Sequence, residues 1–272
     1  MRVFTLIVCL PAILAAQDPR EIVRRSVEID RKNLAISRNY TYLERHEVRE
    51  LDGAGKVKST QIQTWDVTLL EGSPYRRLVA RNDQPLSPKE VKKEEDKLRN
   101  SIEQRRKETE EQRARRVADW DRRRERQREP LKELPDAFDF RLTGEERFDS
   151  GPAYVIDATP KPGYKPRLPS ASYLPKVKAR LWIDQNDYQW VKVEVETLDT
   201  ISFGGFLVRL SKGGHLTIEQ ARINNEVWLP KRVTLRASAR IVLIKSVRAE
   251  LIITFSEYKK FQVDSRVVST ER

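Results

Sequence analysis

The residues able to do chemistry are few. The chain carries two histidines, His46 and His215, one cysteine, Cys9, and one methionine. Neither histidine has a second His or a Cys at metal-ligand spacing. His215 follows Gly213-Gly214 in a turn, and Lys212-Gly213-Gly214 lacks the spacing of a phosphate loop. No Gly-x-Ser-x-Gly elbow occurs. Glu194 and Glu196 share a strand face, as carboxylates facing water do. Asp184 and Asp187 flank a turn, where Asp is favoured. These residues point to no catalytic group, no metal and no cofactor, and so to a non-enzymatic protein. What remains is apolar and aromatic. Four of the five tryptophans (Trp65, Trp182, Trp190 and Trp228) fall in strand patterns, and Trp120 does not. Ile241, Leu243, Ile253 and Phe255 are candidates to line a hydrophobic cavity, together with Trp65, Leu181, Ile183 and Trp228. Trp190 shares parity with Lys192 and is expected on the face opposite Val191, Val193 and Val195.

The 272 residues suit one large domain, or one domain with an insertion. Charged residues make up 35% and hydrophobic ones 38%, and 53 Lys and Arg against 41 Asp and Glu give +12. One cysteine excludes a disulfide framework and a thiolate zinc site. Residues 1–16 read as a signal peptide. Arg2 is the basic start, Val3 to Leu14 the apolar run, and Ala15-Ala16 the small residues, with cleavage between Ala16 and Gln17. The run is too short to span a bilayer. Cys9 is preceded by Val8 and sits too early for lipidation. The expected location is therefore outside the cytoplasm, periplasmic in a Gram-negative source.

A single domain is expected over 17–272. Asp18 to Ser37 is helical by its cap, its Pro19 and its apolar spacing. Tyr40 to Leu51, Lys56 to Leu70 and Tyr75 to Ala80 are strands, joined at Asp52-Gly53-Ala54-Gly55 and Gly72-Ser73-Pro74. Phe138 to Phe148 and Tyr154 to Ala158 resume the strands. From Val177 they run to Phe261, with turns at Gln185-Asn186-Asp187, Phe203-Gly204-Gly205 and Asn224-Asn225. Ile241 to Phe255 is apolar on both faces, so one face packs a core and the other meets the helix or lines a cavity.

Two segments interrupt this pattern. Residues 87–129 hold 16 basic and 12 acidic residues among 43. Ser87-Pro88-Lys89-Glu90 opens a helix, and Thr109-Glu110-Glu111-Gln112 is able to start a second. One continuous helix would be ~65 Å long. The arm reads as a solvated helix or helical hairpin rich in local ion pairs, able to meet an anionic membrane surface or an envelope protein. Its interleaved acids, and the spread of basic charge elsewhere, argue against nucleic acid. Residues 160–175 contain five prolines and read as an extended surface connection.

Ala179-Arg180-Leu181-Trp182-Ile183-Asp184, Val191-Lys192-Val193-Glu194 and Glu226-Val227-Trp228-Leu229-Pro230-Lys231-Arg232, followed by Tyr258 to Phe261, resemble the C-terminal half of the outer-membrane lipoprotein-sorting protein superfamily (LolA/LolB-like). Tyr40-Thr41-Tyr42-Leu43-Glu44-Arg45 and the leading helix fit the same plan. The resemblance implies an α+β fold: a large curved antiparallel sheet, a half-open β-barrel, covered by the N-terminal helix. It implies a bacterial envelope protein that holds a lipid or a lipoprotein acyl chain in its hollow. The alternative on the same scaffold is an interaction or stress-sensing module with a filled core, which binds a protein partner through 87–129.

Overall fold

A computed structural model describes residues 17–203, 208–241 and 245–261. Residues 1–16, read from the sequence as a signal peptide, lie outside the described residues, as do Leu243, most of the Phe203-Gly204-Gly205 turn and the side chain of Ile241. The chain opens with helix α1 (Pro19–Ser37) and the strands β1 (Tyr40–Leu51), β2 (Val57–Leu70), β3 (Ser73–Arg81) and β4 (Gln84–Pro85). Helices α2 (Pro88–Arg106) and α3 (Glu110–Arg128) follow, then a 3₁₀ turn (Glu129–Glu133) and the short α4 (Leu134–Ala137). The remaining strands are β5 (Phe138–Phe148), β6 (Gly151–Pro160), β7 (Val177–Asp184), β8 (Trp190–Thr197), β9 (Ile201–Phe203), β10 (Val208–Leu210), β11 (His215–Ile223), β12 (Val227–Ile241) and β13 (Lys245–Lys260).

All strands join one antiparallel sheet in the order β4-β3-β2-β1-β13-β12-β11-β8-β7-β6-β5, with β10 and β9 branching from β12. The sheet curves but does not close, because β4 and β5 stand at opposite ends of that path. The last long strand pairs with the first over eleven residues of β1, Tyr40 against Lys260 through Leu51 against Arg248. The fold is α+β, a half-open curved sheet with helices against it, in agreement with the sequence.

The face on which α1 lies is the inner face. Asp18 caps the helix by accepting from Arg20 N at 2.9 Å, and Pro19 sits in the first turn, where no N–H is needed. Ile22 and Val23 are buried against Tyr154, Ile156, Leu181, Ile183, Trp190 and Val193 of β6, β7 and β8. At roughly 2 kcal/mol per fully buried aliphatic side chain, this contact anchors the helix. Asn33 then clamps β12. Its Oδ1 accepts from Trp228 N at 2.8 Å, and its Nδ2 donates to Trp228 O at 2.7 Å. The amide imitates a neighbouring strand.

Trp190 departs from the expected parity. A register shift between Trp182 and Ile183 turns Trp190 inward beside Val193, and Val191 outward against Trp182, Ala153 and Trp228. One extra residue in a strand exchanges the faces of everything beyond it.

The proline segment is also more than a surface connection. Two 3₁₀ turns, Pro169–Ala171 and Leu174–Lys176, bury Ala171 and Leu174 with Ala137, Phe138, Ala158 and Val177. The Glu133 carboxylate, 2% exposed, holds this segment down. It accepts from Tyr164 Oη at 2.6 Å, Arg167 N at 3.0 Å and Leu168 N at 2.8 Å. Burial acts to raise its pKa, but the hydrogen bonds to the charged form win and hold it below the usual carboxylate range. Its stabilising contribution is therefore present above the unfolded-state pKa, about 4.3, and is lost as the pH falls through the lower folded value. Glu133→Gln keeps the shape but removes the charge and offers the backbone donors an NH₂ group. It is expected to cost about 2 kcal/mol in urea unfolding at pH 7 and to flatten the loss of stability below pH 4. An unchanged urea midpoint would show that the segment is held by its apolar contacts alone.

Candidate functional site

The inner face carries two apolar rows that cross the strands. One runs Leu181–Val193–Ile218–Val233–Ile253 and ends at His46. The other runs Ala179–Val195–Leu216–Leu235–Leu251 and ends at Val48. Directly paired residues share a face, so each row is one continuous stripe. Its environment changes along its length. Leu181 and Val193 are buried under α1, whereas Ile218, Val233, Ile253, Leu216, Leu235 and Leu251 are only half-buried, and Val48 is 43% exposed. From β11 to β1 the stripe is a trough.

Two residues further along the same strands, the trough meets a cavity of about 560 Å³ between the sheet, α1 and α3. Its sheet side is formed by Tyr42, Val67, Gln220, Trp228, Phe255 and Tyr258. Its helical side is formed by Asn33, Arg38, Trp120, Arg124 and Arg128. Burial raises the pKa of the Tyr42 and Tyr258 phenols, so both remain protonated. Tyr258 Oη donates to Pro230 O at 2.5 Å. Gln220 Oε1 is buried without a hydrogen-bond partner among the described residues.

The cavity exists because the charged segment is docked. It folds as two helices, each opened by a reciprocal capping box, Ser87 with Glu90 and Thr109 with Gln112. The hairpin is pinned at two places. At the β2–β3 turn, Arg105 Nη1 donates to Leu70 O at 2.6 Å and Ser73 O at 3.0 Å, while Arg105 Nη2 donates to Pro74 O at 3.2 Å. Arg116 donates there to Ser73 Oγ at 2.6 Å and Glu71 O at 3.0 Å, and Glu108 braces its guanidinium. Gly72, at φ +83°, lets Val117 approach so closely that a Cβ would stand 3.2 Å from it. At the end of α1, Arg124 Nη2 donates to Leu34 O at 2.9 Å and Ser37 Oγ at 2.7 Å. A cation is favoured there, where helix carbonyls lack partners. Arg128 Nε pairs with Asp30 at 3.0 Å, and Arg38 with Asp121 at 3.3 Å. The arm is solvated on its outer side and carries local ion pairs, but its inner side is spent on the body, through arginines that reach backbone carbonyls, Ser73 Oγ and Asp30.

Of the residues singled out in the sequence, Phe255 lines this cavity and Ile253 lies in the adjoining trough, whereas Trp228 borders the cavity but packs its ring outward with Trp182, Val191 and Ala153. Leu181 and Ile183 are sealed in the α1 core. Trp65 lies on the inner face opposite Glu44, under the Arg76 guanidinium at 5.0 Å from the ring centre. There Glu44 joins His46 and Arg76, a polar border to the trough. Arg105, Arg116, Arg124 and Arg128 were missed. The available signal was the helical spacing of Val117, Trp120, Arg124 and Arg128, one stripe of α3. The outer face carries ion-pair ladders instead, Arg141 and Arg180 on Asp157 and Lys178 on Glu196. Among the described residues no group of His, Cys, Asp and Glu is placed to hold a metal, and no helix is long and apolar enough to cross a membrane.

The sequence matches no known protein-family profile and no curated protein. In structure the chain is similar to a domain of the outer membrane lipoprotein-sorting type from Vibrio parahaemolyticus, at 11% identity over 90% of this chain and 95% of that one, with a TM-score of 0.35. It is similar to a LolA superfamily protein from Nitrosomonas europaea, at 12% identity over 91% and 94%, with a TM-score of 0.33. A chain of the Pseudomonas aeruginosa MucA/MucB complex matches at 11% identity over 90% and 99%, with a TM-score of 0.26. These alignments each span about 90% of the chain. Likeness at this level concerns the fold alone, and what the cavity holds follows from this chain's own side chains.

Removing the three carbonyl bonds of Arg105 by substitution with Ala is expected to cost about 2 kcal/mol locally. Limited proteolysis should then cut the 107–109 connection faster than in the wild type while the sheet stays folded. Equal cutting rates would mean that the hairpin does not depend on this anchor.

Proposed function

We propose that this protein is an exported, non-catalytic binder of an acyl chain, which lies in the trough and reaches into the cavity beneath α3. The observation that carries the reading is the apolar stripe that begins as core under α1 and continues half-open across β11, β12 and β13. A soluble chain seldom leaves such a contiguous apolar strip uncovered without a use. A 560 Å³ cavity falls within the ordinary range of ligand pockets. Burying roughly ten methylenes at about 0.8 kcal/mol each supplies about 8 kcal/mol, micromolar affinity before immobilisation costs. The apolar surface supplies the affinity, so no covalent step is needed. The signal-like segment 1–16 supports export, and the likeness to envelope carriers agrees with a lipid or a lipoprotein acyl chain as the ligand.

The test is detergent-free purification of the exported protein, extraction with organic solvent and mass spectrometry against a mock preparation. Near-stoichiometric lipid is expected, and Ile253→Lys, which places a charge in the trough, should reduce it several-fold without unfolding the protein. A clean wild-type protein that also refuses added fatty acid would overturn the reading and favour a partner protein on the charged hairpin.

A further inference from the structure

Three guanidinium groups converge where α1 and α3 close the cavity. Arg38 and Arg124 both lie against the Trp120 ring, at 5.6 and 4.9 Å from its centre. They share one carboxylate, Asp121, at 3.3 Å from Arg38 but 3.9 Å from Arg124. Arg128 is neutralised by Asp30. Arg124 is thus the least compensated of the three, although its side chain is only 17% exposed. Only its Nη2 is engaged in hydrogen bonds among the described residues. Burial and the charges of Arg128 and Arg38 act against its protonated form, yet a guanidinium stays charged in proteins. A half-buried cation with spare donors is costly unless an anion joins it. Tyr42 lines the same space, and its phenol is a further donor.

We propose that Arg124, flanked by Arg38 and Arg128, is the receptor for an oxyanion, a carboxylate or phosphate, so that the ligand is an anionic amphiphile with its headgroup under α3 and its tail in the trough. Guanidinium donors suit such a group by geometry as well as charge. The tail half of this assignment rests on the acyl-chain reading above, whereas the anion half stands on the arginines.

Calorimetry with decanoate, decanol and inorganic phosphate separates the two halves. Wild-type protein should bind decanoate about tenfold more tightly than decanol, as a charge-assisted contact implies. Arg124→Gln should erase that preference, with decanol binding weakened no more than decanoate binding by the loss of the α1 anchor, and an unchanged circular-dichroism spectrum shows that the variant is folded. Arg38→Gln, at a more exposed position, should weaken the preference without disturbing the α1 contact. Phosphate that displaces decanoate at comparable concentration would mark a site for the free anion. Phosphate effective only in large excess would mark the headgroup of an amphiphile. Equal binding of decanoate and decanol, or a preference that survives both substitutions, would overturn the oxyanion receptor. If neither ten-carbon probe binds, the acyl reading fails. Phosphate binding that is lost in Arg124→Gln would then still uphold the anion site, and its absence would overturn that too.

Discussion

The structure is governed by a mismatch between the width of its sheet and the size of its helical cover. Eleven strands in one path, at about 4.8 Å spacing, make a sheet roughly 50 Å wide before curvature. Helix α1 has 19 residues, about 28 Å, and a helix is only about 10 Å across. It can bury the inner face of β6, β7 and β8, where Ile22 and Val23 insert, and little more. The apolar rows do not stop there. Whatever covers the rest must come from elsewhere in the chain or from a ligand.

The chain answers with a polar cover. The hairpin is too charged to pack as an apolar lid, and α3 has no buried residue among its nineteen. It is held instead at its two ends, by Arg105 and Arg116 on one turn and by Arg124 and Arg128 on the last turns of α1. Directional bonds at fixed points hold a helix at a set distance, whereas an apolar lid would collapse onto the sheet. The space beneath the middle of α3 is the consequence. The same logic explains the composition. Hydrophobic residues are scarce because arginines do part of the fastening, and much of the remaining charge forms ladders on the outer face.

Local chemistry was legible in the sequence. Asp18 with Pro19, the two capping boxes and the Asp52 to Gly55 turn announced their elements, because each satisfies backbone groups with residues a few positions away. The antiparallel sheet and its helix followed from alternation and from the resemblance carried by residues 177–264. What could not be read was long-range. The run of arginines in 87–129 looks solvated until Leu34, Leu70 and Ser73 supply the carbonyls that bind them. The prolines of 160–175 look like surface until Glu133 gathers their neighbouring amides. The faces of Trp190 and Val191 depended on a one-residue register shift that alternation alone does not reveal. For the cavity, Trp228 and Phe255 were visible as apolar strand residues. Leu181 and Ile183 have the same pattern and are buried, because only α1 decides which part of the stripe is closed.

The central claim is that an acyl chain occupies the open half of that stripe. The most direct measurement is methyl NMR with a fatty acid that carries a nitroxide near its tail end. The account predicts strong broadening of the Ile218, Leu235 and Ile253 methyl signals, with Leu181 and Ile183 spared under α1. Broadening that spares the trough and falls on Val57, or no site-specific broadening at all, would contradict it.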